Sequence, residues 1–180
     1  SFSRKNLAFP KELMCSLYLV GVPATLNMAL PSVLISALNG IVAVFSDKYI
    51  LVLGAYFKLQ TFIYLSASGV IQGIRPIVSY NYGAGEEKRV QSVFRTSLGI
   101  NAIVMAVGMA LSMFIPGQLI GIFTSSQETI AIGVQALRII SIGFIFSAVS
   151  VTCCGVLEAL GRGMPSLVVS LLRYVVVIIP

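Results

Sequence analysis

Histidine and tryptophan are absent from this chain, and only six of its 180 residues are acidic. The lack of histidine removes the commonest general base and the usual serine and cysteine triads. Adjacent carboxylates occur only at Glu86-Glu87, beside Lys88 and Arg89, where a solvated charge cluster accounts for them. The three cysteines, Cys15, Cys153 and Cys154, lie in or beside apolar stretches and have no partner at zinc-ligand spacing, so they are read as buried inert thiols. Gly83-Ala84-Gly85 lacks the further glycines, the lysine and the preceding strand of a phosphate-cradling loop. The chain is therefore read as a non-enzyme, with no catalytic residue, no metal site and no cofactor.

Charge is scarce overall: 10% of residues, against roughly 25% in an ordinary soluble domain. Hydrophobic residues make up 57% and the mean hydropathy is +0.97. A bilayer core about 30 Å thick needs about 20 apolar residues in a helix. No residue is charged between Glu12 and Asp47, or between Arg95 and Glu128. The pattern predicts an all-α, polytopic membrane helix bundle of five spans, at 13–46, 49–80, 96–115, 130–157 and 165–180. Pro23 and Pro31 each remove a backbone hydrogen bond from the first, so a kinked crossing is expected. Pro116-Gly117 ends the third. The fifth stops in mid-span, and Ser1 stands where an initiator methionine would, so a fragment is expected.

The cations set the orientation. Arg4, Lys5 and Lys11 precede the first span, Lys88, Arg89 and Arg95 follow the second, and Arg162 follows the fourth; these connections belong in the cytoplasm. The turns at 46–49 and 124–129 are cation-poor and belong outside. The net charge of +6 then reflects this rule and contact with anionic membrane lipids, with no nucleic-acid partner implied. Lys58 and Arg138 sit inside spans, where each either snorkels to an interface or faces a wet cavity. Asn27, Asn39, Gln60, Tyr64, Gln72 and Asn101 are the polar candidates for a substrate path, and helix-to-helix hydrogen bonding is the competing account. The spaced pairs Gly69/Gly73 and Gly117/Gly121 are expected to let helices approach closely.

The most informative segment runs Gln72-Gly73-Ile74-Arg75-Pro76-Ile77-Val78-Ser79-Tyr80-Asn81-Tyr82-Gly83-Ala84-Gly85. Pro76 loosens a helix end, Tyr80 and Tyr82 suit the membrane interface, and Asn81 with Gly83 and Gly85 is expected to form a left-handed turn. As a string it resembles the signature of the multidrug and toxic compound extrusion family. The resemblance continues at Val20 to Pro23, Leu119 to Thr124, Ala159 to Pro165 and Ser170 to Arg173.

That resemblance implies a twelve-helix transporter of two six-helix lobes. It would exchange cytoplasmic cationic or amphiphilic compounds for external H+ or Na+ by alternating access, in a bacterial plasma membrane. The chain would form most of the second lobe, and its partners would be the missing first lobe, its small-molecule substrates and the coupling ion. Some relatives carry a coupling carboxylate on the first and fourth spans of this lobe. Here the first span has no acid and the fourth only Glu158 at its inner end, so a coupling acid is expected in the other half. An unpaired Arg173 would cost about 2.5–3.5 kcal/mol in a span, so it is expected to tie to a carbonyl or to Glu158. A lipid-linked oligosaccharide flippase of related architecture and a non-transporting scaffold are the alternatives.

Overall fold

The computed structural model describes residues 11–44 and 47–174. The expectations placed on Arg4 and Lys5, and on the fifth span beyond Tyr174, lie outside the described residues. Seven helices are described: α1 Lys11–Ala43, α2 Asp47–Gly83, α3 Glu87–Phe114, α4 Pro116–Gly121, α5 Gln127–Ser141, α6 Gly143–Ala159 and α7 Gly163–Leu172. Among the described residues there is no strand, as the sequence predicts.

With 33, 37 and 28 residues, α1, α2 and α3 are each long and apolar enough to cross a bilayer. At 1.5 Å per residue, α2 measures about 55 Å and outreaches the hydrocarbon core. Helices α5 and α6 meet at a 47° bend and together are long and apolar enough for a fourth, broken crossing. An unbroken helix over 130–157 is expected from hydropathy alone; the break falls at Ile142, between Ser141 and Gly143. Ser141 Oγ donates to the Arg138 carbonyl at 3.0 Å, and a serine and glycine so placed are a recurrent cause of bends. Helix α3 begins nine residues before Thr96, because its first turns carry Lys88, Arg89 and Arg95 out beyond the apolar stretch. Pro116 opens α4, where a missing N–H costs nothing.

The turns after α2 and after α6 share one construction. At the end of α2, Glu86 N–H donates to the Asn81 carbonyl at 2.9 Å and Gly85 N–H to the Tyr82 carbonyl at 3.1 Å. At the end of α6, Arg162 N–H donates to Leu157 at 2.8 Å and Gly161 N–H to Glu158 at 3.0 Å. Both are Schellman closures, and the left-handed residue is Gly85 (φ 74°) in one and Gly161 (φ 73°) in the other. This corrects the expected role of Asn81 and Gly83, which remain in α2. The Asn81 side chain turns back on its own helix and donates to the Ile77 carbonyl at 2.8 Å.

The packed centre lies around α2, with Ala55, Tyr56 and Ala67 against Met105 of α3, Ile120 of α4, Leu137 of α5, and Phe144 and Ala148 of α6. Helix α7 packs on α6 and α1, and α1 reaches the remainder chiefly through α7. The close approaches come from single glycines. A Cβ added at Gly155 would fall 2.2 Å from Ile71 Cγ2, and one at Gly163 would fall 3.2 Å from the α1 backbone and from Pro23. A Cβ added at Gly69, Gly73 or Gly121 would meet nothing within 4 Å and one at Gly117 only Val134 Cγ2 at 3.8 Å, so neither spaced pair makes a close helix approach among the described residues. The reason is facial: spacing places two glycines on one side of a helix without choosing the side that meets another helix.

Candidate functional site: a carboxylate between four helices

Several hydroxyls in the apolar helices are satisfied without leaving their own helix. Thr25, Thr61, Ser97, Ser112 and Thr152 each donate to the carbonyl four residues back, at 2.6–2.9 Å. A carboxylate has no such local solution and must draw its donors from elsewhere.

Glu158 does so near the end of α6. Arg75 of α2 forms a salt bridge to its Oε2. Asn27 Nδ2 of α1 donates to Oε1 at 3.1 Å, and the Ser166 hydroxyl of α7 reaches the same oxygen at 3.1 Å. Asn27 Nδ2 also donates to Ser166 Oγ at 3.0 Å. One carboxylate thus ties α1, α2, α6 and α7. Arg75 and Glu158 side chains are 46% and 15% exposed, so the pair is half-sheltered and strengthened by a dielectric below that of water. Beside it, Ser79 Oγ donates to the Ala159 carbonyl at 2.7 Å, a second tie between α2 and the end of α6.

Asn27 also carries an unmet acceptor, since its Oδ1 is buried without a hydrogen-bond partner among the described residues. One turn further along α1, Pro31 has no N–H to offer the Asn27 carbonyl. The Asn27 side chain thus donates into the Glu158 cluster through Nδ2 while its Oδ1 stays open, and its carbonyl lacks the usual donor four residues on.

Asn27, Arg75 and Glu158 of this cluster line a cavity of about 420 Å³ with Gln72, Ser170 and Arg173. A second cavity of about 380 Å³ is more apolar, lined by Pro31, Leu38, Tyr56, Gln60 and Tyr64 together with Tyr174. Ser68 and Arg173 belong to both walls, so the chambers adjoin at Arg173. The guanidinium lies 4.7 Å from the Tyr174 ring centroid and 5.9 Å from that of Tyr64. Its Nε is buried without an acceptor among the described residues. Of the two partners expected for Arg173, a carbonyl or Glu158, the second is corrected: Arg75 takes that carboxylate, and the Arg173 guanidinium lies over aromatic faces.

Of the polar candidates, Asn27 and Gln72 face the first chamber and Gln60 and Tyr64 the second. Asn39 is half-buried on α1, outside both linings. Asn101 is fully buried and donates to Thr152 Oγ1 at 3.0 Å, a tie between α3 and α6 worth about 0.6 kcal/mol by the average for such bonds in membranes. Of the other motif residues, Pro23 is buried where α1 meets Gly163, Pro31 lines the second chamber, and Pro76, Tyr80 and Tyr82 are exposed along the inner part of α2. Lys58 lies 5.6 Å from the Phe123 ring, near the turn read as external, a snorkelling geometry. Arg75, Glu158 and Ser166 were not singled out as a site by sequence. The available signal was charge: an acid and a base inside apolar spans are expected to find one another.

Three helices long and apolar enough to cross a bilayer, a bent pair that can form a fourth crossing, and polar side chains meeting between them define a polytopic membrane helix bundle. The MatE family model matches residues 23–180, and the chain belongs to that family. The chain is similar to the multidrug export protein MepA of Staphylococcus saprophyticus, 26% identical over 168 residues, which cover 93% of this chain and 37% of that protein. MepA of Staphylococcus aureus is 25% identical over 174 residues, covering 96% and 38%. The crystal structure of a MATE protein in complex with MaL6 superposes with a TM-score of 0.85 at 15% identity, over 96% of this chain and 39% of that one. The chain thus spans under two fifths of the length of the relatives it matches, and the superposition establishes the shared fold.

Proposed function

We propose that this chain forms most of one lobe of a cation-coupled antiporter. The whole protein exports drugs or amphiphilic metabolites, cationic ones among them, in exchange for H+ or Na+ across a bacterial plasma membrane. The complementary lobe supplies the other wall of the path. Membership of the MatE family and the export named for the MepA relatives support the direction of transport. No catalytic step is part of this reading.

The observation that carries the coupling is the position of Glu158. It is a carboxylate of α6 on a chamber wall, bonded to side chains of three other helices at once. A cation that competes for it releases Arg75 of α2, Asn27 of α1 and Ser166 of α7 together, and in alternating access such helices change exposure around an internal site. The unpartnered Asn27 Oδ1 supplies a further ligand for Na+, or an acceptor for the proton of a neutral Glu158. On this reading the coupling acid lies in this chain, in place of the other half. A pyrophosphate-linked flippase calls for a cluster of cations, whereas one of the two chamber arginines is already paired.

The test is ethidium efflux from cells producing the complete gene product that carries this chain, with the proton and sodium gradients collapsed in turn. Efflux that stops with one gradient identifies the ion. Efflux indifferent to both refutes antiport.

A further inference from the structure

Beyond the export reading, we infer that the face of this lobe turned away from its chambers binds membrane phospholipids by their phosphates. Lys58 of α2 and Arg138 of α5 stand at one level of the bilayer, at an edge of the hydrocarbon, and each holds the phosphodiester of an anionic lipid.

The level follows from helix register. Helix α2 runs alongside the bent pair of α5 and α6 with a nearly constant offset in sequence. Lys48 meets Glu128 and Ser79 meets Ala159, each 80 residues apart, and Arg75 meets Glu158, 83 apart. Tyr64 packs against the edge of Phe144 in the same register. Lys58 and Arg138 share that offset, so they lie level. Helix α3 runs the opposite way, with Gly108 against Ile63, which brings its exposed end at Phe114 close to the same level. At 1.5 Å per residue, Arg75 lies about 25 Å beyond Lys58 and Glu158 about 30 Å beyond Arg138 along their helices, near the thickness of the hydrocarbon core. The two cations therefore mark one edge of that core, and the Arg75 and Glu158 pair marks the other.

Their surroundings fit a lipid boundary. Both side chains are exposed, and neither has an acidic partner among the described residues. Lys58 stands two positions before Gln60 and Arg138 two before Ile140, and both of those later residues line the second chamber. Two positions turn a helix by roughly 200°, so the cations look away from the chambers. Exposed large apolar side chains gather on the hydrocarbon side of this level, with Phe62 and Leu65 after Lys58 and Ile139, Ile142 and Ile145 after Arg138. Between Glu128 and Arg138 there is none. A cation at such an edge extends its stem toward the headgroups. The Phe123 ring lies beside the Lys58 ammonium and offers it no hydrogen-bond acceptor of the strength of a phosphate. The three N–H donors of a lysine and the guanidinium fork of an arginine both suit phosphate oxygens.

The test titrates the complete gene product carrying this chain, stripped of lipid in detergent, with phosphatidylglycerol or phosphatidylcholine, and counts bound lipids by native mass spectrometry. Phosphatidylglycerol is expected to bind about fivefold more tightly at each site. Lys58→Gln and Arg138→Gln each remove one tightly held phosphatidylglycerol, and the double variant removes both. Lys58→Arg keeps its lipid, and Lys48→Gln, which deletes a like charge away from this level, removes none. Excess glycerol phosphate displaces none, because the acyl chains of the lipid lie on the apolar face. The level is read separately in nanodiscs with a water-soluble maleimide, which does not depend on the charge variants folding. Leu51→Cys and Gln135→Cys gain label over the unaltered protein, whereas Phe62→Cys and Ile142→Cys do not. A double variant that keeps every tightly held lipid overturns the inference, as does equal binding of the two lipids or displacement by glycerol phosphate. So does a loss at Lys48→Gln equal to that at Lys58→Gln, or equal labelling of all four cysteine variants. None of these outcomes bears on the antiport reading, which depends on gradient-driven efflux.

Discussion

Gly155→Ala is the sharpest probe of how this bundle is assembled. An ideal Cβ at position 155 would lie 2.2 Å from Ile71 Cγ2, 3.1 Å from its Cδ1 and 3.3 Å from its Cβ. Carbon atoms pack comfortably at about 3.5–4.0 Å, so α2 and α6 must part by roughly 1 Å or Ile71 must leave its rotamer. Rotation offers little relief. Ile71 is only 4% exposed, and its Cγ2 branches directly from Cβ, where χ1 in a helix is nearly fixed. Overpacking of this kind costs about 1–3 kcal/mol, and replacing a helical glycine by alanine returns about 1 kcal/mol. Because the contact is so short, a net loss of about 1–2 kcal/mol is expected. The assay is SDS-titration unfolding followed by circular dichroism on the complete gene product. Gly69→Ala is the control, since nothing lies within 4 Å of its Cβ, and it is expected to stabilise by up to about 1 kcal/mol. In the double variant Ile71→Ala/Gly155→Ala the new methyl enters vacated space, so a favourable coupling of about 1 kcal/mol is expected. A Gly155→Ala protein as stable as Gly69→Ala would refute the packing argument.

Two further outcomes are expected in the same unfolding assay. Glu158→Gln strands Arg75; a fully buried pair would lose about 3–5 kcal/mol, and the 46% exposure of Arg75 reduces this to about 1–2 kcal/mol. Adding Arg75→Gln recovers part of that loss, and a double variant no more stable than Glu158→Gln would remove the ion pair from the account. Gly85→Ala and Gly161→Ala each force an L side chain into a left-handed turn and lose about 1–2 kcal/mol, whereas Gly83→Ala, still helical, loses none. Equal stability of the Gly83 and Gly85 variants would show that the turn is not held as described.

What the sequence by itself determined follows from the solvent. A bilayer offers no hydrogen bonds, so uncharged runs of sufficient length become helices. The helical class and the segments of the long helices were legible for that reason, and the string from Gln72 to Gly85 pointed to the family. Tertiary structure decided which polar groups meet. Residues 27, 75, 158 and 166 are scattered along the chain, and converge only because Gly155 and Gly163 bring α2 to α6 and α1 to α7. Hydropathy averages over all sides of a helix, and so it could not choose Arg75 over Arg173 as the partner of Glu158. It could not distinguish Asn101, enclosed between α3 and α6, from Gln72 on a chamber wall. Composition sets how many polar groups the membrane must accommodate. The rotation and closest approach of each helix set which of them face one another, and with them the chemistry of the cavity.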